Sequence, residues 1–337
     1  MSSATPPVDL IMVAGRRLHP TQVFDTYWRF AAARQQVYQG RLRGDPSPWT
    51  ADPILATYRF TNCYRAADRV SQYLIKEVVY RGNQDADEVL FRILLYRFFN
   101  RISTWELLLS AFGELSWATF RPDRYDQVLT KAFCGGERIY SAAYVIPSPR
   151  LGGLRKHTNH LLLLEHMLRG GLRSRLETSA SMPEAFDLLH GYSGIGDFLA
   201  YQLLIDINYS TMINFDEMDF VVPGPGAKDG LRKCFGRGVR GIEADVIRYM
   251  SDTQEKHFDR LGLRFSSLNG RRLQLIDCQN LCCEVDKYAR AAHPDISGYS
   301  GRTRIKQRFA PLDNALTAWF PPEWGINVLD WAGSLGS

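Results

Sequence analysis

Apolar residues recur every three or four positions along most of this chain, the spacing that turns one side of an α-helix toward a core. Phe24–Arg41 carries Trp28, Ala31, Ala32, Gln35 and Tyr38 in that rhythm. Ala86–Asn100, Trp105–Phe112, Tyr125–Phe133, Glu137–Val145 and Thr158–Leu168 follow it, and Ile54–Tyr80 holds one long helix or two. Leu188–Ile205 reads as a helix, a turn punctuated by Gly191, Gly194 and Gly196, and a second helix that buries Phe198, Ala200, Leu203 and Leu204. Pro147–Gly153 and Val222–Ala227 are loops by their proline and glycine content. Beyond Leu261 the pattern changes: Leu263, Phe265 and Leu268, then Arg272–Ile276, suggest a short extended segment before a helix over Cys278–Arg290.

These elements predict an all-α, mainly α fold. The expected organisation is a flexible N-terminus over 1–20, a helical domain over 21–260 with a helix-hairpin-helix at 184–206, and a C-terminal extension over 261–337. That extension is expected to contain short strands and to pack on the same domain. No repeat or low-complexity linker separates independent cores.

Composition changes the picture little. The 337 residues are 45% hydrophobic and 12% aromatic, enough for one large core or two ordinary ones. A net charge of +5 with a pI near 8.8 favours an anionic partner only mildly. No apolar run is long enough to span a bilayer and no leader pattern opens the chain, so a cytoplasmic protein without membrane contact is expected. The six cysteines lack a disulfide framework or iron–sulfur spacing, so reduced, mostly buried thiols are expected, with no metal and no cofactor.

The glycine-punctuated turn carries candidate chemistry. Amides around Gly194 and Gly196 would point from a helix N-terminus, where the dipole favours an anion such as a DNA phosphate. Acids follow at Asp216, Glu217 and Asp219. Leu188–Asp219 resembles the helix-hairpin-helix and trailing aspartate of DNA base-excision glycosylases. Leu90–Asn100 and Gly136–Val145 fall where those enzymes carry two core helices.

A closer resemblance spans most of the chain. Pro48–Leu55, Tyr58–Asn62, Tyr64–Ile75, Gly224–Ala227, Leu275–Asn280 and Cys283–Arg290 resemble the helical domain associated with 5-hydroxymethyluracil DNA kinases, a family also described as α-glutamyl/putrescinyl-thymine pyrophosphorylase and regarded as related to those glycosylases. The resemblance implies work on modified or hypermodified bases in double-stranded DNA, largely of bacteriophage type.

Carried onto these residues, the glycosylase resemblance implies a flipped base and a carboxylate beneath the sugar. Its acid follows the second hairpin glycine by about twenty residues, which leaves Asp216 and Asp219 both open; Asp219 is preferred because it abuts the Gly-Pro-Gly-Ala stretch. Phe98, Phe99 and Asn100 are wedge or pocket candidates. Phe198 stands where bifunctional glycosylases place a nucleophilic lysine, so excision would be monofunctional, leaving an abasic site.

A polar group on the C-terminal helix, Asp277, Gln279, Asn280, Glu284, Asp286, Lys287 and Arg290, together with Arg59, Asn62, Arg65, Asp68 and Arg69, could line a pocket or groove. Arg232, Lys233, Arg302, Arg304, Lys306 and Arg308 are candidate phosphate contacts.

No Gly-x-x-x-x-Gly-Lys-Ser/Thr loop occurs, which argues against kinase chemistry within these residues and for a kinase or nuclease partner encoded separately. The leading expectation is a monofunctional glycosylase for hydroxymethylated, glucosylated or hypermodified bases, serving antiphage defence. Behind it stand a transferase or pyrophosphorylase of thymine hypermodification, and a non-catalytic module that binds modified DNA.

Overall fold

A computed structural model describes residues 8–143, 146–310 and 318–327. Among them run β1 (Ile11–Val13), β2 (Arg16–Leu18), α1 (Gln22–Arg43), α2 (Pro53–Thr57), α3 (Arg69–Tyr73), α4 (Ala86–Phe99) and α5 (Ile102–Phe112). There follow α6 (Pro122–Cys134), α7 (Lys156–Arg169), α8 (Leu172–Glu177), α9 (Met182–His190), α10 (Asp197–Ile207), α11 (Pro225–Phe235), α12 (Glu243–Asp252), α13 (Gln254–Arg260) and α14 (Leu275–Ala292). The protein is mainly α, as the apolar rhythm predicts; its sheet is the two-stranded hairpin β1–β2, paired Ile11 to Leu18. No helix of the described residues is long and apolar enough to cross a membrane.

The chain forms two compact units, and their boundaries differ from the expected ones. The first joins residues 1–68 to 220–318; the second holds 69–219 and 319–337. The hairpin also orders part of the stretch expected to be flexible, burying Ile11, Val13 and Leu18, while residues 1–7 lie outside the described residues.

In the first unit α14 is the central helix, and α11 lies against it unusually closely. Gly226 and Gly230, one helical turn apart, face it: a Cβ on Gly230 would stand 1.9 Å from the Cys282 carbonyl oxygen, and one on Gly226 would stand 2.3 Å from the Cys283 sulfur. The segment expected to be a loop, Val222–Ala227, therefore gives way to helix at Pro225. Proline suits the first helical position because its missing N–H would have no intrahelical acceptor there, and the glycines serve close approach rather than a turn. Thr21 caps α1, accepting from the Val23 amide at 3.1 Å while its hydroxyl donates to the Lys233 carbonyl at 2.6 Å. This bolts the start of α1 to the end of α11.

In the second unit α4 is buried from Glu88 through Phe99. Its charged residues are neutralised locally. Arg92 donates to the Val78 and Asn83 carbonyls at 2.8 and 2.7 Å, and Glu88 accepts from the Trp117 and Ala118 amides at 2.7 and 3.0 Å. Arg97 forms a buried ion pair with Asp206 of α10.

Three expected elements change. Ile54–Tyr80 breaks into α2, an extended stretch, a 3-10 turn at Arg65–Ala67, α3 and a π-helical turn at Leu74–Val79. The break has a cause, since the Arg59 amide and Thr57 carbonyl pair with Gln307 and Phe309 at 3.0 Å each instead of closing helical turns. Residues 137–143 of the expected Glu137–Val145 helix are not helical, and residues 144–145 lie outside the described residues. Of the turn glycines Gly191, Gly194 and Gly196, only Gly194 is left-handed, at φ 81°.

Gly230→Ala is expected to lower stability despite alanine's better helix propensity, by about 2 kcal/mol, because the new methyl forces α11 off α14. Thermal unfolding followed by circular dichroism checks this; an unchanged or raised midpoint would show that the helices separate without cost.

Candidate nucleic-acid interface

The basic residues near the C-terminus acquire a defined geometry in the first unit. Residues 307–309 pair with 57–59: the Arg59 amide donates to the Gln307 carbonyl and the Phe309 amide to the Thr57 carbonyl, each at 3.0 Å, and Tyr58 and Arg308 form an antiparallel bridge. Arg302, Arg304, Lys306 and Arg308 lie within and just before this pairing. All four are exposed, and so is Arg59 on the neighbouring strand. The far end is pinned where the Phe309 ring meets Trp49, centroids 6.4 Å apart. Arg290 of α14 donates to the Arg304 carbonyl at 3.1 Å, which fixes the middle. Four exposed cations within seven residues of chain offer a surface that phosphates can meet.

Beneath it lies a polar network that holds residues 60–62 to α14. Glu284, buried, accepts from the Thr61 amide at 3.0 Å and from Lys287 at 2.6 Å. The Lys287 ammonium also rests 4.6 Å above the Phe60 ring. Asn280 donates to the Thr61 hydroxyl at 3.0 Å and to the Asn62 carbonyl at 3.2 Å. Asn62 receives Arg34 on its side-chain oxygen and donates to the Ala67 carbonyl at 2.7 Å. The Arg65 amide donates to Asp277 at 2.7 Å, and Asp277 also caps α14 with Gln274.

Asn62, Arg65, Gln279 and Glu284 are thus buried, while Asn280 and Lys287 are half-buried at the margin. This changes their expected role: Asn62, Asn280, Glu284 and Lys287 spend side-chain donors or acceptors on the protein's own backbone and side chains, while Arg65 meets Asp277 through its backbone amide and Gln279 is buried. Arg34, which the sequence reading did not single out, is the centre of the network, with its Nε donating to the Thr61 carbonyl at 3.0 Å. Its signal was an arginine on the buried face of α1.

Asp68 accepts from the Asn62 amide at 2.8 Å. Burial pushes its carboxyl up to about 6, outweighing the stabilising amide and the Arg34 and Arg65 charges, while Glu284 nearby adds to the rise.

Two further basic candidates separate. Lys233 is buried, 1% exposed, and donates at 3.0 Å to both the carboxylate and the carbonyl of Asp286, so it does not meet a phosphate. Arg232 is half-buried, its guanidinium 5.6 Å from the Tyr299 ring centroid.

In the second unit the expected wedge does not exist at Phe98–Asn100. Phe98 is 1% exposed and stacks on His160 at 5.5 Å; Phe99, also buried, stacks on Tyr140 at 5.1 Å. His160 sits between the Tyr140 hydroxyl at 2.7 Å and the Pro147 carbonyl at 2.9 Å, with burial lowering its pKa to about 4. Asn100 ends α4 in the left-handed conformation and accepts from Arg97 at 2.9 Å. These three are packing and capping residues.

The acids follow α10 in a turn that Asn208 anchors to Phe215 through bonds of 2.8 and 3.0 Å. Asp216 and Asp219 are exposed; Glu217 is buried. The Asp216 carboxylate receives the Met218 amide at 2.9 Å, a turn-capping bond. Gly194 packs against Pro149, where a Cβ would come within 3.0 Å, and Gly196 is the N-cap of α10. Asp197 opens that helix and pairs with His190 at 3.0 Å, so a carboxylate already occupies the positive helix end.

With this geometry in place, comparison gives the class: residues 21–298 match the family model described as "5-hmdU DNA kinase, helical domain", and the chain belongs to that family. One relative is a 5-hmdU DNA kinase of Bacillus phage SP10, 26% identical over 288 residues. The match covers 79% of this chain and 45% of the relative, so the chain spans about half the length of the curated relative it matches. No solved structure matches significantly.

The family corrects the expected reaction. It is named for a kinase, a transferase, and not for a hydrolase; the expectation of a monofunctional DNA glycosylase is overturned.

Asp68 provides a test of the network. A carboxyl whose folded pKa lies above its ordinary value opposes folding once ionised, so that penalty is absent below pH 3.8, grows through the window to about 6, and is full above it. Asp68→Asn keeps an acceptor for the Asn62 amide and is expected to stabilise the protein by about 1–2 kcal/mol at pH 7 and by little at pH 4. Denaturant titrations at both pH values check this; equal differences at the two pH values would show that Asp68 titrates normally.

Proposed function

We propose that this chain is a DNA-holding module of a 5-hydroxymethyluracil modification system, which binds duplex DNA carrying 5-hydroxymethyl-deoxyuridine for group transfer at the hydroxymethyl oxygen. The observation that carries this reading is the exposed cluster Arg302, Arg304, Lys306 and Arg308, with the exposed Arg59 on the segment that pairs with 307–309. Family membership supplies the chemical context. A phosphoryl-transferring region, in the same protein or a separate one, completes the reaction; the chain has no Gly-x-x-x-x-Gly-Lys-Ser/Thr phosphate loop to cradle a nucleotide.

Exposed charge of this kind predicts a particular kind of binding. Phosphate contacts supply affinity and salt dependence, whereas discrimination of the hydroxymethyl group needs contacts to the base itself. The triple change Arg302→Ala, Arg304→Ala, Lys306→Ala is expected to weaken binding more than about tenfold at low salt and to flatten the slope of log K against log salt by about 2–3. Fluorescence anisotropy on duplexes with 5-hydroxymethyluracil or thymine measures both, and unchanged affinity and slope would remove this edge from the interface.

Group transfer on this chain itself is the second reading, and the exposed carboxylates Asp216 and Asp219 support it. A hydroxymethyl oxygen attacking an electrophile must lose its proton, and a carboxylate within hydrogen-bond reach can take it. Of the two exposed acids, Asp219 leads directly into the segment that runs to Gly224–Ala227 and is the one to test first. With hydroxymethylated DNA and a nucleoside triphosphate, Asp219→Asn should then abolish the nucleoside mass change while leaving DNA affinity intact; a retained mass change would exclude Asp219.

A further inference from the structure

The loop before α7 in the second unit holds out an apolar side chain that packs on nothing. Leu154 is 98% exposed, and the chain beneath it is not slack. Asn159, buried in α7, accepts from the Leu151 and Gly153 amides at 3.1 and 2.9 Å and donates to the Gly153 carbonyl at 2.9 Å. On the other side Pro149 lies against Gly194, and the Arg150 amide reaches the Ser193 hydroxyl at 3.4 Å. Gly153 itself sits tight on Thr158, where a Cβ would fall 3.0 Å away. Leu154 is therefore held outward by a clamped loop.

Its surroundings select the partner. Arg150 and Arg155 flank it and are exposed; Lys156 follows, its ammonium 4.1 Å above the Tyr140 ring. Phe133, at the end of α6, is 54% exposed, and the next residue, Cys134, lies 3.9 Å from the Arg155 guanidinium. The first turn of α7 contains no acidic residue of its own, but the Asp126 carboxylate of α6 receives the Thr158 hydroxyl of that turn at 2.6 Å, so the positive rim is that of the arginine and lysine side chains. An apolar tip inside a cationic rim complements a polyanion with an apolar interior. Duplex DNA has that form: phosphates outside, stacked bases within.

We propose that Leu154 inserts between stacked bases of duplex DNA while Arg150, Arg155 and Lys156 contact the flanking phosphates. The inference rests on the DNA-binding reading above and adds to it the residue that opens the stack.

The test uses the full chain and a duplex with 5-hydroxymethyluracil next to 2-aminopurine, whose emission rises when it unstacks. Anisotropy on the same duplex reports binding separately. The wild-type protein is expected to raise the emission at saturation. Leu154→Ala should bind no more than about tenfold more weakly, the loss expected for one leucine side chain, yet leave the emission near that of free DNA. Leu154→Phe should restore the rise. Saturated DNA whose emission does not rise with the wild type, or rises equally with Leu154→Ala, overturns the insertion and leaves DNA binding standing. Absence of binding by the wild-type protein overturns both.

Discussion

The close crossing of α11 on α14 sets the first unit. With Gly230 against the Cys282 carbonyl and Gly226 against the Cys283 sulfur, the two backbones approach as near as side chains allow. That proximity brings Lys233 onto Asp286 at 3.0 Å, with Arg290 from one turn further along α14 on the same carboxylate. It also places Asp229 where the Ser300 amide reaches it at 2.9 Å, and Gly298 so near that any Cβ would strike its carboxylate. The chain leaving α14 is thereby tied back to α11. A few residues later it emerges as the basic edge. The row of cations thus inherits its position from a helix contact that admits no side chain.

Buried charge marks both units, and its cost explains its form. A lone buried charge is destabilising by several kcal/mol, so each must find a partner and further hydrogen bonds. Asp286 meets this with Lys233 and Arg290; Asp206 meets it with Arg97, which in turn donates to Asn100 at 2.9 Å. Such groups fix register more than they add stability, because removing one member strands the other. Asn100 illustrates the point: its left-handed backbone both ends α4 and turns its side chain back onto Arg97.

The helices were legible because their apolar spacing reflects burial directly. α1, α4, α7 and α14 fall close to the stretches that the rhythm of hydrophobic residues marks. Local sequence could not show that Thr57 and Arg59 bond to Phe309 and Gln307, some 250 residues on, so helix was expected where the backbone is extended. Gly224–Ala227 failed for a different reason. Glycine and proline mark turns when local conformation decides, but here proline starts a helix and glycine admits another one. The site was legible in residue type and not in role. A buried asparagine, arginine or glutamate requires polar partners, and sequence cannot say whether they belong to a ligand or to the protein. For Asn62 and Glu284 they belong to the protein.

The same electrostatic argument separates two helix ends that look alike in sequence. Both α7 and α10 follow glycine-containing turns, and each presents first-turn amides with a positive dipole. At α10 the first residue is Asp197, whose carboxylate lies at the helix end and holds His190, so an approaching phosphate meets a negative charge there. At α7 the cap is Arg155 and the first residue is Lys156, and the acid at the turn is Asp126 of α6, which receives the Thr158 hydroxyl at 2.6 Å. The glycine pattern drew attention to α10, but there the helix opens on its own acid, whereas α7 opens on two cations. Gly194 then has a different use: its bare Cα lets Pro149 pack against the turn, supporting the loop that carries Leu154.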